Sequence, residues 1–217
     1  TEPIRYALVP KGQADPGGID DALIVHTPVE SFVSLSTTYL PFLEQIDELS
    51  SLVAVDSGAY IYNAEVQNWL KAGAVAEVGS GAVINIESLI DLNPDLIMTS
   101  ASGFAEYDSH PQLLEAGLKV VINSDYLEQD PLGRAEWGKF IAAFFEKEAE
   151  ADRLFDEMVA RYQQAKALTS NLPTRVTVFT NTAYEGTWYM PGGESYIAIL
   201  LADAGADYLF KDIEGSG

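Results

Sequence analysis

A chain of 217 residues with 47% apolar and 21% charged side chains is long enough to bury a substantial core without a disulfide or a metal. Its 12 Lys+Arg stand against 33 Asp+Glu, a formal charge of −21 that repels phosphate backbones and anionic lipid and argues against nucleic acid as a partner. With no cysteine, thiol catalysis, thiolate zinc and a disulfide framework are excluded, and the longest apolar run, Ile197 to Ala202, falls far short of the roughly 18–20 residues a membrane-spanning helix needs.

The first elements are two β-rich runs, Ile4 to Pro10 and Ala22 to Thr27, around a Gly/Asp/Pro loop from Lys11 to Asp20. From Ser31 the pattern alternates. FVSLS, LVAVD, AVAEV, DLIMTS and LKVVIN read as strands, with helices over Tyr39 to Ile46, Asn63 to Ala72, Ile86 to Leu92 and Pro111 to Ala116 between them. Strands separated by short helices predict right-handed βαβ units on a largely parallel sheet, an α/β lobe over residues 1–131. Asp130-Pro131 signals a helix start, followed by Trp137, Phe140, Ile141, Phe144 and Phe145 at helical spacing. A long helix over about 148–169 comes next, a rod of roughly 30 Å within an interlobe segment at 132–170. RVTVFT, an aromatic loop and SYIAILLADAGADYLF then form one β-loop-α unit at 171–217, read as the start of a second α/β lobe. One strand and one helix cannot cover both faces of a sheet, so the expectation is either a second lobe that is incomplete within this sequence or a segment that leans on the first lobe or on another molecule.

Catalytic patterns are sparse. His26 and His110 sit in no metalloprotease or serine-hydrolase motif and read as structural or surface residues, and carboxylate pairs such as Glu148/Glu150 read as solvated helix faces. Gly79-Ser-Gly81 lacks both the third glycine of a dinucleotide fingerprint and the lysine of a P-loop. No cofactor or resident metal is expected. The informative pattern lies after the strands, where ligands bind in open α/β sheets. Thr37, Thr38 and Tyr39 follow the first strand of the alternating region, Ser57, Tyr60 and Tyr62 the second, Ser102, Phe104 and Tyr107 the fourth, and Tyr184, Trp188, Tyr189 and Met190 follow RVTVFT. Flat rings with polar tips and a few hydroxyls suit a bulky ligand that is partly apolar and partly oxygen-rich.

VESFVSLSTTYLPFLEQI, LVAVDSGAYIY, EVGSGAVINIESLIDLNPDLIMTS and LLEAGLKVVI together resemble the amino-terminal lobe of the extracytoplasmic substrate-binding proteins of ABC importers for iron-siderophores, haem and cobalamin. PLGRAEWGKFIAAFFEKEAEADRLFDEMVARY is similar to that family's lead into its single interlobe helix, and GTWYMPGGESYIAILLADAGADYLF to the opening of its second lobe. The resemblance implies two α/β lobes joined by one rigid helix with a shallow cleft between them, no catalysis, and a periplasmic or extracellular location with a lipid anchor in the precursor. It implies a ferric chelate as ligand and an ABC permease as partner, with Glu87 in NIES as the first-lobe docking residue. Asn85 as N-cap and the helix dipole account for a carboxylate there on structural grounds alone. The ligand-binding residues implied are Thr37, Thr38, Tyr39, Tyr60, Tyr62, Ser102, Tyr107, Trp188, Tyr189 and Met190. Basic residues are few, Arg134 among them, so a neutral or weakly charged chelate fits better than a strongly anionic one. Haem, with Tyr60, Tyr62 or Tyr189 as iron ligand, and cobalamin are the alternatives within the family. Outside it stand an α/β enzyme using carboxylates near Asp56 and Asp108, and a sensor or scaffold lobe binding a protein through its acidic face.

Overall fold

Five short apolar runs carry their hydrogen bonds to one another, and this sets the architecture. The computed structural model describes residues 4–19, 21–80, 83–104 and 107–215, so Asp20 of the first loop and Gly81 of the Gly79-Ser-Gly81 turn lie outside the described residues. In it β3 (Phe32–Ser34), β4 (Leu52–Val55), β5 (Ala76–Glu77), β6 (Leu96–Thr99) and β7 (Val120–Ile122) form one all-parallel sheet in the order β5-β4-β3-β6-β7. The residues of β3, β4, β6 and β7 are almost all buried, as a parallel sheet covered on both faces requires. The chain is thus an α/β fold with a parallel sheet.

The helices between these strands are α1 (Leu40–Gln45), α2 (Ala64–Ala72), α3 (Ile86–Leu92) and α4 (His110–Glu115). Asn63 and Asn85 sit outside α2 and α3 as caps, each accepting from first-turn amides; Gly73 and Asn93 close the same helices in the left-handed conformation. Val33, Ala54, Leu89, Ile97 and Leu113 meet in the core. A separate two-stranded parallel ribbon, β1 (Arg5–Pro10) with β2 (Ala22–Thr27), precedes the sheet. Tyr6 fastens it, its ring 6.0 Å from Phe140 and its hydroxyl accepting the Ile122 amide at 2.9 Å.

Two further helices follow, α5 (Pro131–Ala143) and α6 (Glu148–Thr169), the latter over the residues anticipated for the long helix. By contacts the chain forms two compact units, the first Thr1–Ser124 with Gly138–Ala151, the second Asp125–Trp137 with Asp152–Gly217. The crossings fall between Ser124 and Asp125, within α5, and near the start of α6. Helical periodicity marks where a helix runs; which side chains it buries, and against what, decides the unit.

The second unit holds β8 (Thr177–Val178) paired in parallel with β11 (Asp207–Tyr208), the helix α7 (Tyr196–Asp203) between them, and a hairpin of β9 (Ala183–Tyr184) and β10 (Thr187–Trp188). RVTVFT pairs over only two of its six residues. The aromatic loop is itself a hairpin, because Glu185 and Gly186 both take positive φ, 50° and 79°, the conformation of a two-residue turn whose twist suits antiparallel strands.

Candidate ligand-binding site

The strand order reverses between β3 and β6, where an open α/β sheet places its ligand crevice at the carboxyl ends. On the first unit a hollow of about 650 Å³ opens beside the segments that follow β3 and β4. Thr37, Leu40, Pro41 and Glu44 line one part of it, and Tyr60, Ile61, Tyr62 and Asn63 another. Ser57 accepts the Ala59 amide and so starts the 3-10 turn Gly58–Tyr60; Ile61 is buried and points the chain inward. The rings on either side of it stand out in solvent, Tyr60 at 73% and Tyr62 at 92% exposure.

Tyr39 departs from expectation. It is 1% exposed and its hydroxyl donates to the Asn123 carbonyl, so it is a core residue rather than a ligand contact. Helical phase explains this: Thr37 to Tyr39 is a 3-10 turn in which Ser36 caps Thr38, leaving the threonines outward and turning the tyrosine in. Thr38 is exposed and shares a hydroxyl contact with Ser36 at 2.8 Å, but it does not line the hollow.

Ser102 and Tyr107 line neither this hollow nor the one on the second unit. Ser102 is bound inward, donating through its amide and its hydroxyl to Asp108 at 2.7 and 2.8 Å, while the Gly103 amide reaches the other carboxylate oxygen at 2.9 Å. Burial alone would raise the Asp108 carboxyl, but these donors and the nearby His110 together hold it below its ordinary value. The loop so fastened presents Phe104 and Tyr107 as an exposed edge-to-face pair, centroids 6.4 Å apart. Asp56, at the end of β4, behaves oppositely: burial pushes its carboxyl up, helped by Glu77 and opposed by local amides. Asp108 therefore staples the loop through three donors.

On the second unit a hollow of about 730 Å³ is lined by Trp188, Tyr189 and Met190, and also by Tyr126, Leu127, Glu128, Asn181, Ser195 and Tyr196. The hairpin fixes the rings: Trp188 donates its indole N–H to the Thr180 carbonyl at 3.1 Å and packs on Phe179 at 5.3 Å, and Asn181 donates to the Tyr189 carbonyl at 2.8 Å. Arg134, on α5, supplies the charge. One guanidinium nitrogen donates to the Tyr126 and Glu128 carbonyls at 2.8 and 2.9 Å, the group lies 4.0 Å over the Tyr196 ring, and its Nε is buried without a partner. Ser195 caps α7 through the Ala198 amide, which places Tyr196 at the helix start. Tyr126 and Tyr196 were missed from the sequence; Pro-Gly-Gly-Glu-Ser before an apolar run was the helix-start signal that could have found the second.

Glu87 is exposed in the first turn of α3, and the Asn85 side chain accepts from Ser88 at 3.0 Å. Among the described residues no group of three or more His, Cys, Asp or Glu is placed to hold a metal ion, and no helix is long and apolar enough to cross a membrane.

Residues 32–217 match the model of the family described as periplasmic binding protein. The chain belongs to the periplasmic binding protein family. Members bind small-molecule solutes and work with ABC permeases; they are not enzymes. An uncharacterised lipoprotein of Methanocaldococcus jannaschii is 30% identical over 210 residues, 91% of this chain and 49% of the relative. The chain spans about half the length of the curated relatives it matches. A candidate iron-binding (periplasmic solute-binding) protein from Staphylococcus epidermidis is similar with a TM-score of 0.70 at 21% identity, covering 88% of this chain and 71% of that one. The periplasmic haem-binding protein HutB of Vibrio cholerae is similar with a TM-score of 0.67 at 18% identity, covering 86% and 68%. At these identities the likeness to the two structures is one of fold. For this periplasmic binding protein it accords with the parallel sheet and the helices between its strands.

Proposed function

We propose that this periplasmic binding protein captures a ferric chelate of siderophore type outside the cytoplasmic membrane and hands it to an ABC permease, Glu87 being its docking residue on the first lobe. Haem or cobalamin is the alternative cargo. We keep with this reading a first lobe at 1–131, an interlobe segment at 132–170 and the opening of a second lobe at 171–217, and a lipid anchor in the precursor, which the relative named a lipoprotein supports.

The observation that carries the reading is the lining of the second unit's hollow: four large rings, a thioether and one guanidinium with an unpartnered Nε–H. An apolar wall with few oriented donors suits a bulky organic molecule carrying oxygen acceptors. Arg134 is offset by Glu128 in the same lining, which favours a neutral or weakly charged chelate over a polyanion. Thr37, Tyr60 and Tyr62 on the first unit are a second set of the same chemistry, and Trp188, Tyr189 and Met190 the set proposed here as contacts. Solved relatives by fold are named for haem and for iron, which supports the class of cargo.

The test is thermal stabilisation of the chain by a ferric trihydroxamate, a ferric catecholate, haemin and cobalamin. At a hundredfold excess over Kd, binding adds about 2.7 kcal/mol, or about 5–10 °C for a chain of this size. W188A and Y60A should each reduce the shift. No shift with any of the four would overturn the proposal, and a shift with haemin or cobalamin alone would move it to the alternative cargo.

A further inference from the structure

Resting on the reading just given, we infer that Gln67 is the positioning residue for the Tyr60 turn, acting through the backbone without lining the hollow. Gln67 is half-buried on α2, and its side-chain amide donates to two carbonyls at once, Gly58 at 2.8 Å and Ile61 at 2.9 Å. These are the first residue of the 3-10 turn and the residue that follows it, so one side chain spans the segment from which Tyr60 projects. Both partners are acceptors, which assigns the nitrogen end of the amide to them.

Everything else about the turn places it against α2. A Cβ on Gly58 would come within 2.9 Å of Leu70 Cδ1 on α2 and 3.0 Å of Glu77 Oε1, so the backbone of the turn lies close against both side chains. Ile61 is buried, its amide returns to the Gly58 carbonyl at 3.2 Å, and Asn63 then caps α2. Tyr60 itself, by contrast, is mostly exposed. Its direction is set by the backbone beneath it, and Gln67 grips that backbone at both ends. A pre-set ring lowers the ordering cost of binding; without the grip the turn samples other directions and the ligand must select among them.

The replacement Q67M keeps the volume and helix propensity and removes both donors, while Q67K restores a donor within reach of both carbonyls. Two readouts are taken on the chain. Hydrogen exchange at the Ile61 amide, without ligand, should quicken roughly tenfold in Q67M and return toward wild type in Q67K. Affinity for whichever of ferric trihydroxamate, haemin or cobalamin the wild type binds should fall roughly tenfold in Q67M, with most of the loss in the dissociation rate. In a Y60A background the same Q67M change should leave affinity untouched, which a merely stabilising glutamine would not produce. The inference is overturned by wild-type exchange at Ile61 in Q67M, by wild-type affinity, or by an affinity loss that persists without Tyr60. If the wild type binds none of the probes, the cargo reading has failed, and exchange at Ile61 alone then decides whether Gln67 holds the turn.

Discussion

Replacing Asp108 by asparagine isolates how much the loop carrying Phe104 and Tyr107 owes to one carboxylate. Asp108 is 5% exposed and receives three donors, the Ser102 amide and hydroxyl and the Gly103 amide. Asparagine keeps the size and one acceptor but turns an NH2 group toward a donor, and loses the charge that strengthens the remaining bonds. Loss of a charge-assisted hydrogen bond at a buried site costs about 1.5–3 kcal/mol, equivalent to a fall in melting temperature of about 3–12 °C for a chain of this length. Urea melts of wild type and D108N near neutral pH measure the difference. The pH dependence supplies the sign. Burial works against the ionised form, but the amides, the hydroxyl and His110 outweigh it, so the folded carboxyl lies below its ordinary 3.8. A depressed carboxyl contributes stability that is complete above the unfolded value and is lost as pH falls through the folded one. The gap between wild type and D108N should therefore hold constant down to about pH 5 and close below about pH 4. A difference under about 0.5 kcal/mol at neutral pH, the size of an ordinary surface change, would refute the assignment of Asp108 as the staple.

Arg134→Lys should weaken cargo binding by about tenfold or more while leaving the melting temperature within a few degrees, because lysine keeps the charge but not the planar group that donates to two carbonyls and stacks on Tyr196; titration calorimetry with the bound probe measures it. Glu87→Gln should leave cargo affinity unchanged and lower cargo-dependent stimulation of the permease's ATPase in proteoliposomes. Gly193→Ala should destabilise the second unit by about 1–3 kcal/mol or more, since the added Cβ would clash with the Lys211 carbonyl and break the Gly193–Ile213 hydrogen bond; limited proteolysis at residues beyond 170 would show earlier cleavage. Asn85→Ala should cost about 1 kcal/mol through loss of the α3 cap, read from denaturant melts.

The alternation of apolar strands with short helices was legible because buried parallel strands must be apolar throughout, and β3, β4, β6 and β7 lie inside runs chosen on that ground alone. So was the long helix, whose 22 residues keep one period. Tyr39 was misread because spacing after a strand says that a residue is near the crevice, not which way a 3-10 turn faces it. Arg134 was noticed for its charge, but its stacking on Tyr196 joins residues more than sixty positions apart, and no local pattern encodes such a pairing. Gln67 was invisible for a related reason: a glutamine on a helix face reads as solvated until the carbonyls it grips are known. Glu185-Gly186 is the one miss that turn chemistry could have repaired, since glycine at the second position is a hairpin signal in its own right.

The sheet order has a consequence for how the chain acquires its shape. β3 lies at the centre, and one of its two neighbours, β6, arrives only after an excursion of more than sixty residues; the hydrogen bond between Ser31 and Asp95 closes a span of 64. Closing so large a loop is slow compared with forming the helices along the way. As the polypeptide emerges from the ribosome, one flank of its central strand stays bare until the far partner appears.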